Sequence, residues 1–298
     1  MKFAQIAKLA STVAILVVLC VFYGYFIEPN RLVVNNAELH IKGLNHAFDG
    51  FKIVAISDIH GGSNGGSEAN IRRVVENANA QDADIIVLLG DYVSQTGGGG
   101  PSEEIRYKMP ISTITENLTG LSARYGVFAV LGNHDGWYGD QAVSDALAGD
   151  GYRVLRNEIA IVEKNGQRLR LLGLNDHLKL RSWDSFDSDV RKIVAANEPR
   201  GDIVVLEHSP DIFQVLNHYK MLGRDLKLMI AGHTHGGQIW LPIIGSPIVP
   251  SSFGQKYSAG HVHEFDSDMF VTTGVGTSIL PFRFMVPPEI AVLTLRSE

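Results

Sequence analysis

The sequence predicts an α/β fold: one domain over residues 31–298, held behind an N-terminal transmembrane helix. Three observations carry this reading. Leu9–Ile27 is a run of nineteen residues without a charge. Beyond it, apolar strand-like runs alternate with helix-like stretches, the pattern of open and partly parallel sheets. Asn165-Gly166 then joins two apolar runs, Glu158–Glu163 and Arg168–Leu174, a hairpin signal that calls for an antiparallel portion.

As a helix rising ~1.5 Å per residue, the N-terminal run reaches ~28 Å, about the hydrocarbon thickness of a bilayer. A cleaved signal peptide is the competing reading, and it needs small side chains at the −1 and −3 positions. Gly24 offers one, but Phe22 sits two residues before it, and Leu19 ahead of Cys20 is too bulky for a lipoprotein-type signal. A retained anchor over residues 1–30 fits better. Lys2 and Lys8 precede the span, while Arg31, beside Glu28, follows it. The positive-inside rule then leaves the N-terminus in the cytoplasm and the body outside a single-pass inner or plasma membrane helix.

After Pro29 the composition becomes that of a folded α/β domain. Residues 32–43 read as an edge strand. Strand-like runs follow at Lys52–Ser57, Asp84–Leu89, Val127–Leu131, Asp202–Leu206 and Lys227–Ala231. Helix-like stretches fall at Glu68–Ala80, Ile111–Ala123, Gln141–Ala148, Phe186–Ala196 and Pro210–Leu222. The tract Gly97-Gly98-Gly99-Gly100-Pro101 reads as a flexible loop, and no linker divides the body. With 26 Lys and Arg against 32 Asp and Glu, the net charge of −6 argues against a nucleic-acid binder driven by phosphate neutralisation. A single cysteine, Cys20, excludes an intramolecular disulfide framework and a thiolate-built metal site.

What ends each strand carries the chemistry. The five runs lead in turn into Asp58-Ile59-His60, Gly90-Asp91, Gly132-Asn133-His134-Asp135, Glu207-His208 and Gly232-His233-Thr234-His235-Gly236-Gly237-Gln238. In open α/β sheets, ligands bind beyond the carboxyl ends of the strands. One such Asp or His is usually a turn or cap residue, and Gly-Asp is common at strand ends. All five sets in order are hard to obtain by chance. Oxygen and imidazole donors without sulfur suit Mn, Fe, Zn or Ni, and the set reads as a site for two divalent metal ions.

That ordered set resembles the calcineurin-like metallophosphoesterases from about residue 34 to the end. The run Gly274–Arg283, then Pro287-Pro288-Glu289-Ile290, together with the anchor, is similar to a membrane-associated bacterial branch of that family. The resemblance implies a metallophosphoesterase β-sandwich flanked by helices, a single catalytic domain. It implies that Asp58, His60 and His235 hold one metal, that Asn133, His208 and His233 hold the other, and that Asp91 bridges them. It makes His134, oriented by Asp135, the candidate general acid, and it implies attack on phosphorus by a metal-bridging hydroxide. Gln238, Tyr92 and Glu207 become supporting candidates, and Arg283 a candidate for either a substrate phosphate or a salt bridge. Purple acid phosphatases of the superfamily place an iron-binding Tyr where this chain has Ser94, so no tyrosinate–iron colour is expected.

The function that follows is a phosphoesterase acting on mono- or diesters, with lipid-linked phosphates among the substrates that an anchor makes reachable. Two other readings stand beside it. One is pyrophosphate hydrolysis of UDP-2,3-diacylglucosamine in lipid A synthesis, which needs a cytoplasmic site. The other is a non-catalytic binding scaffold, disfavoured because every ligand position is filled.

Overall fold

The computed structural model describes residues 2–96, 106–177, 182–197 and 201–298, so the glycine tract at 97–101 lies outside the described residues. Its first element, α1 (Lys2–Phe22), continues through a π turn (Tyr23–Ile27) into a short 3-10 turn (Glu28–Asn30). As far as Phe22 the side chains of the helix face outward: none of its most apolar window is buried, and Leu9, Val18 and Phe22 are all more than half exposed. The expected span of Leu9–Ile27 therefore lies inside a helical stretch longer at both ends.

The body opens with β1 (Val33–Ile41), β2 (Lys52–Ile56), α2 (Glu68–Asn79) and β3 (Ile85–Leu88). A short ribbon, β4 (Gln95–Thr96) with β5 (Arg106–Tyr107), precedes α3 (Ile111–Leu118) and β6 (Val127–Ala129). Then come α4 (Asn133–Tyr138), α5 (Asp140–Gly149), β7 (Arg153–Val154), and the hairpin β8 (Glu158–Lys164) and β9 (Gln167–Gly173). The chain finishes with α6 (Trp183–Ala195), β10 (Ile203–Leu206), α7 (Ile212–His218), β11 (Leu226–Ala231), β12 (Gly260–Glu264), β13 (Ser267–Val271) and β14 (Glu289–Ser297). Helix α3 stops short of the expected Ala123 because Thr119 leaves the helical region and Gly120 turns left-handed. Helix α7 likewise ends before Leu222, where Lys220 takes a positive φ of 48°.

Two six-stranded sheets face each other, ordered β1-β14-β2-β3-β6-β7 and β12-β13-β11-β10-β9-β8. In the first, β2, β3, β6 and β7 run parallel; in the second, β9, β10, β11 and β13 do. The hairpin is antiparallel as its turn demands, and β1 is the expected edge. Alternation along each strand explains the layers. Ile53 and Ala55 of β2 face Leu171, Val204 and Ile230 in the core between the sheets. Val54 and Ile56 face outward onto Ile71 and Val74 of α2 and Ile114 of α3. The second sheet buries its outer face against Phe186 of α6 and Phe213 of α7. Strands covered on both sides read as continuous apolar runs, which is how they stand in the sequence. The result is a β-sandwich flanked by helices, with the carboxyl ends of β2, β3, β6, β10 and β11 at one rim.

Candidate metal centre

The loops leaving these strands are tied to one another before any ligand is considered. The N–H groups of Asp58 and His60 donate to the carbonyls of Gly90 and Asp91, each at 3.0 Å, and Gly232 N–H donates to His208 O at 2.9 Å. Five candidate ligands hold left-handed backbone conformations: Asp58, His60, Asp91, His233 and His235, with φ between 43° and 70°. That conformation costs an L-residue about 1–2 kcal/mol. Its concentration here is the signature of a strained functional site, each turn folding a side chain back over the strand ends. Two glycines make the closure possible. A Cβ at Gly132 would collide with the Asp91 carboxylate, and one at Gly232 with the Ser57 hydroxyl.

Two triads result. In one, the Nε2 atom of His235 lies 3.3 Å from Asp58 Oδ1 and 3.2 Å from His60 Nε2. In the other, His208 Nε2 lies 3.2 Å from Asp91 Oδ2 and 3.1 Å from His233 Nδ1. Asp91 joins them, because the same Oδ2 is 3.6 Å from His60 Nε2. The outward ring nitrogens are fixed from behind: His60 Nδ1 meets Val93 O at 3.2 Å and His208 Nδ1 meets Leu89 O at 2.8 Å. Each can donate there, leaving Nε2 as a lone-pair donor toward the centre, the usual tautomer-setting arrangement around metals.

The residues present fit two cations. Ring nitrogens facing each other at 3.1–3.2 Å point their lone pairs at common space. Asp58 Oδ1 and Asn133 Oδ1 are buried without a hydrogen-bond partner among the described residues, an orphaning that costs free energy unless a ligand takes the oxygens. Burial pushes the imidazoles of His60 and His233 down to about 3, which keeps them neutral as ligation requires. Burial likewise lifts the Asp58 carboxyl to about 6. At Asp91 and His208 burial opposes charge, yet their mutual attraction holds the carboxyl well below its usual range and the imidazole well above.

Expected and observed roles differ at several residues. Asn133 opens α4, whose first turn lets His134 N–H donate to Asp91 Oδ1 at 2.9 Å. Asp135 does not orient His134. Its carboxylate accepts the backbone N–H groups of Asp91, Tyr92 and Gly132 at 2.8, 2.9 and 2.9 Å, so it shapes the loop that carries Asp91. The His134 Nδ1 atom has no hydrogen-bond partner among the described residues, and its Nε2 lies 4.0 Å from Asp91 Oδ2. The ring sits edge-on to His60 and tilted against Trp137, which its motif gave no reason to single out.

Arg283 is fully buried. It donates to the carbonyls of Thr273, Gly274, Gly276 and Val286, with one guanidinium nitrogen 3.4 Å from His235 Nδ1, so it is a strut behind that ligand, out of reach of substrate. Gln238 and Ser278 exchange two hydrogen bonds at 2.9 and 2.8 Å and hold loops together. Tyr92 donates to Val130 O, an internal brace. Glu207, its carboxyl raised by burial and by Asp176, groups with His177 beside the second triad.

The sequence pattern of the calcineurin-like phosphoesterases matches residues 51–237. An uncharacterised metallophosphoesterase of Bacillus subtilis, YkuE, is 30% identical over 92% of this chain and 90% of its own length. Phosphodiesterase YaeI of Escherichia coli is 29% identical over 72% of this chain and 71% of its own. A zebrafish (Danio rerio) transmembrane protein with a metallophosphoesterase domain is 26% identical over 90% of this chain, which spans only 58% of that relative's length.

Proposed function

Because this chain belongs to the calcineurin-like phosphoesterase family and is a metal-dependent hydrolase, we propose that it cleaves phosphodiesters, lipid-linked ones among them, at a membrane surface. The single observation that carries the reading is the place of Asp91, which belongs to the triad with His208 and His233 and lies 3.6 Å from His60 of the other triad. In this reading Asp58, His60 and His235 would hold one divalent ion, Asn133, His208 and His233 would hold a second, and Asp91 would serve both. Two such ions supply Lewis-acid polarisation of phosphoryl oxygens and a water acidic enough to act as nucleophile near neutral pH.

The chain's own residues do the rest. With two carboxylates against two divalent charges, the site stays net positive and attracts a phosphoester anion. His134 lies at the edge of the centre, 19% exposed, with its Nε2 on the Asp91 side, from where it can give a proton to a departing alkoxide. Asp135 and Arg283 keep Asp91 and His235 in place. The indole of Trp137 packs against the His134 ring at a centroid distance of 4.6 Å. Residues 1–30 act as the anchor and 31–298 as the catalytic domain, with the body on the extracytoplasmic face. Phosphodiesterase activity of a relative supports the diester preference.

The test is elemental analysis of the purified full-length protein together with turnover of bis(p-nitrophenyl) phosphate and p-nitrophenyl phosphate. Two metals per chain and faster diester hydrolysis support the reading. A protein that hydrolyses neither ester when loaded with Mn, Zn, Fe or Ni would revive the scaffold alternative.

A further inference from the structure

Two loops beside the metal centre expose apolar side chains that none of the described residues covers. Ile243 and Ile279 are essentially fully exposed, at 105% and 95%, and Trp240, Ile244, Leu280 and Met285 are each at least 41% exposed. Scattered exposed apolar residues are ordinary, but contiguous patches mark interaction surfaces. Ile243 and Ile279 are also held at φ of 75° and 52°, a conformation that β-branched residues strongly disfavour. Backbone strain is thus spent on holding two isoleucines away from the core. No charged side chain occurs in residues 239–254 or 275–282.

The two loops form one ledge, and that ledge grips the N-terminal helix. Trp240 N–H donates to Phe284 O and Phe284 N–H to Gln238 O, each at 2.9 Å. Arg283 N–H donates to Gly24 O at 2.9 Å, the Phe282 ring lies where a Cβ at Gly24 would be, and Tyr23 meets Phe284 edge-on. Asn64 clamps the junction by donating to Tyr25 O at 2.7 Å and Pro281 O at 2.9 Å. The patch is therefore continuous with the base of a helix whose apolar surface is wholly uncovered.

We propose that this ledge is a second membrane contact, seating the body on the leaflet from which the helix emerges. A bilayer fits better than a protein partner because any partner on the ledge would compete with lipid for the space around the helix base. Tryptophan and aliphatic side chains without charge suit burial at the headgroup–acyl boundary. The seat also sets the substrate class. His235 is five residues before Trp240, and Arg283 of the ledge stands directly behind it, so the metal centre is held at the lipid–water boundary. Phosphoesters on amphiphiles in that leaflet are then presented to it, while water-soluble esters reach it only from bulk. The inference rests on the anchored phosphoesterase reading above.

The experiment uses the full-length chain in phosphatidylcholine–phosphatidylglycerol vesicles. In a Cys20→Ser background, spin labels are placed singly by Ile243→Cys, Ile279→Cys and, as a control on the distant hairpin, Glu163→Cys. The labels at 243 and 279 should relax with oxygen and be shielded from an aqueous nickel chelate, while the label at 163 should show the reverse. Equal nickel accessibility at all three would overturn the seat. Shielding from both agents at 243 and 279 would reveal a protein neighbour and overturn it too. In a second arm, the pair Ile243→Asp and Ile279→Asp should lower hydrolysis of a vesicle-embedded long-chain phosphodiester about tenfold or more, because the anchored body no longer seats its centre at the leaflet, and leave bis(p-nitrophenyl) phosphate turnover unchanged. Equal turnover of the embedded ester by this variant and the parent would overturn the substrate class. Absence of all hydrolysis by the parent chain would defeat the phosphoesterase reading instead, with label depth still deciding the seat.

Discussion

Asp135 and Asp91 meet through the backbone: the buried Asp135 carboxylate accepts the Asp91 N–H at 2.8 Å. The same carboxylate takes the N–H groups of Tyr92, Val93 and Gly132, so one side chain satisfies four donors of two different strand-end loops. A loop held this way presents Asp91 to both triads without the ions being needed to shape it.

Asp135→Asn should therefore act on the fold as well as the chemistry. The amide turns one acceptor into a donor facing buried N–H groups, at a cost of about 1–3 kcal/mol. Denaturant unfolding should show that loss, and elemental analysis a fall in bound metal. A variant of unchanged stability and full metal content, slowed only in turnover, would return Asp135 to the role of orienting His134.

Asp91→Asn should lower metal content below two per chain and remove nearly all hydrolysis, since an uncharged amide is a poor bridge between cations. Two metals and normal turnover in that variant would remove Asp91 from the centre.

His134→Asn should keep both metals and the fold yet lose roughly 10²–10⁴ in turnover on esters with alkoxide leaving groups. Esters releasing p-nitrophenolate should suffer less, because that anion departs without a proton. Equal losses on both would mean that His134 stabilises phosphoryl charge, and loss of one metal would make it a ligand.

Metal binding should release protons. His208 without metal is held protonated at pH 7 by Asp91, its imidazole raised above the usual value despite burial. A ligand nitrogen must be neutral, so loading expels about one proton there, and affinity rises with pH. Below the Asp58 value of about 6 a second proton competes, so affinity should fall more steeply. Titration calorimetry in buffers of different ionisation enthalpy measures the release. No buffer dependence at pH 7 would show that His208 is already neutral.

The full-length protein should fractionate with membranes and resist carbonate extraction. Protease shaving of right-side-out vesicles should digest the body. Protection of the body would reverse the topology and favour the cytoplasmic lipid-sugar reading, and a mature N-terminus near residue 25 would identify a signal peptide.

Much of the site was legible because its donors sit within a few residues of strand ends, and strands buried on both faces announce themselves as apolar runs. Asp58, His60, Asp91, His208, His233 and His235 converge as their spacing foretold. Asp135 was misread because its partners, Asp91 and Tyr92, lie over forty residues away and are backbone groups, which leave no mark in side-chain chemistry. Nothing in Gly132-Asn133 marks the helix that opens directly after the strand there. Arg283 was open in the sequence between a substrate phosphate and a salt bridge, because a cation near this motif fits either. Its real partners are carbonyls of a loop whose path only the packed fold determines.

The left-handed backbone at Asp58, His60, Asp91, His233 and His235 limits how this centre can be retuned. Asp and His are among the residues that tolerate that conformation, whereas β-branched and bulky ones do not. Each position thus selects for backbone geometry and donor atom together. Exchanging a ligand for Glu or Cys to favour another metal would change the turn as well as the coordinating atom. Metal preference is more easily shifted from behind at Arg283, whose side chain backs His235 Nδ1 without the turns being touched, whereas His60 and His208 are backed by main-chain carbonyls that substitution leaves in place.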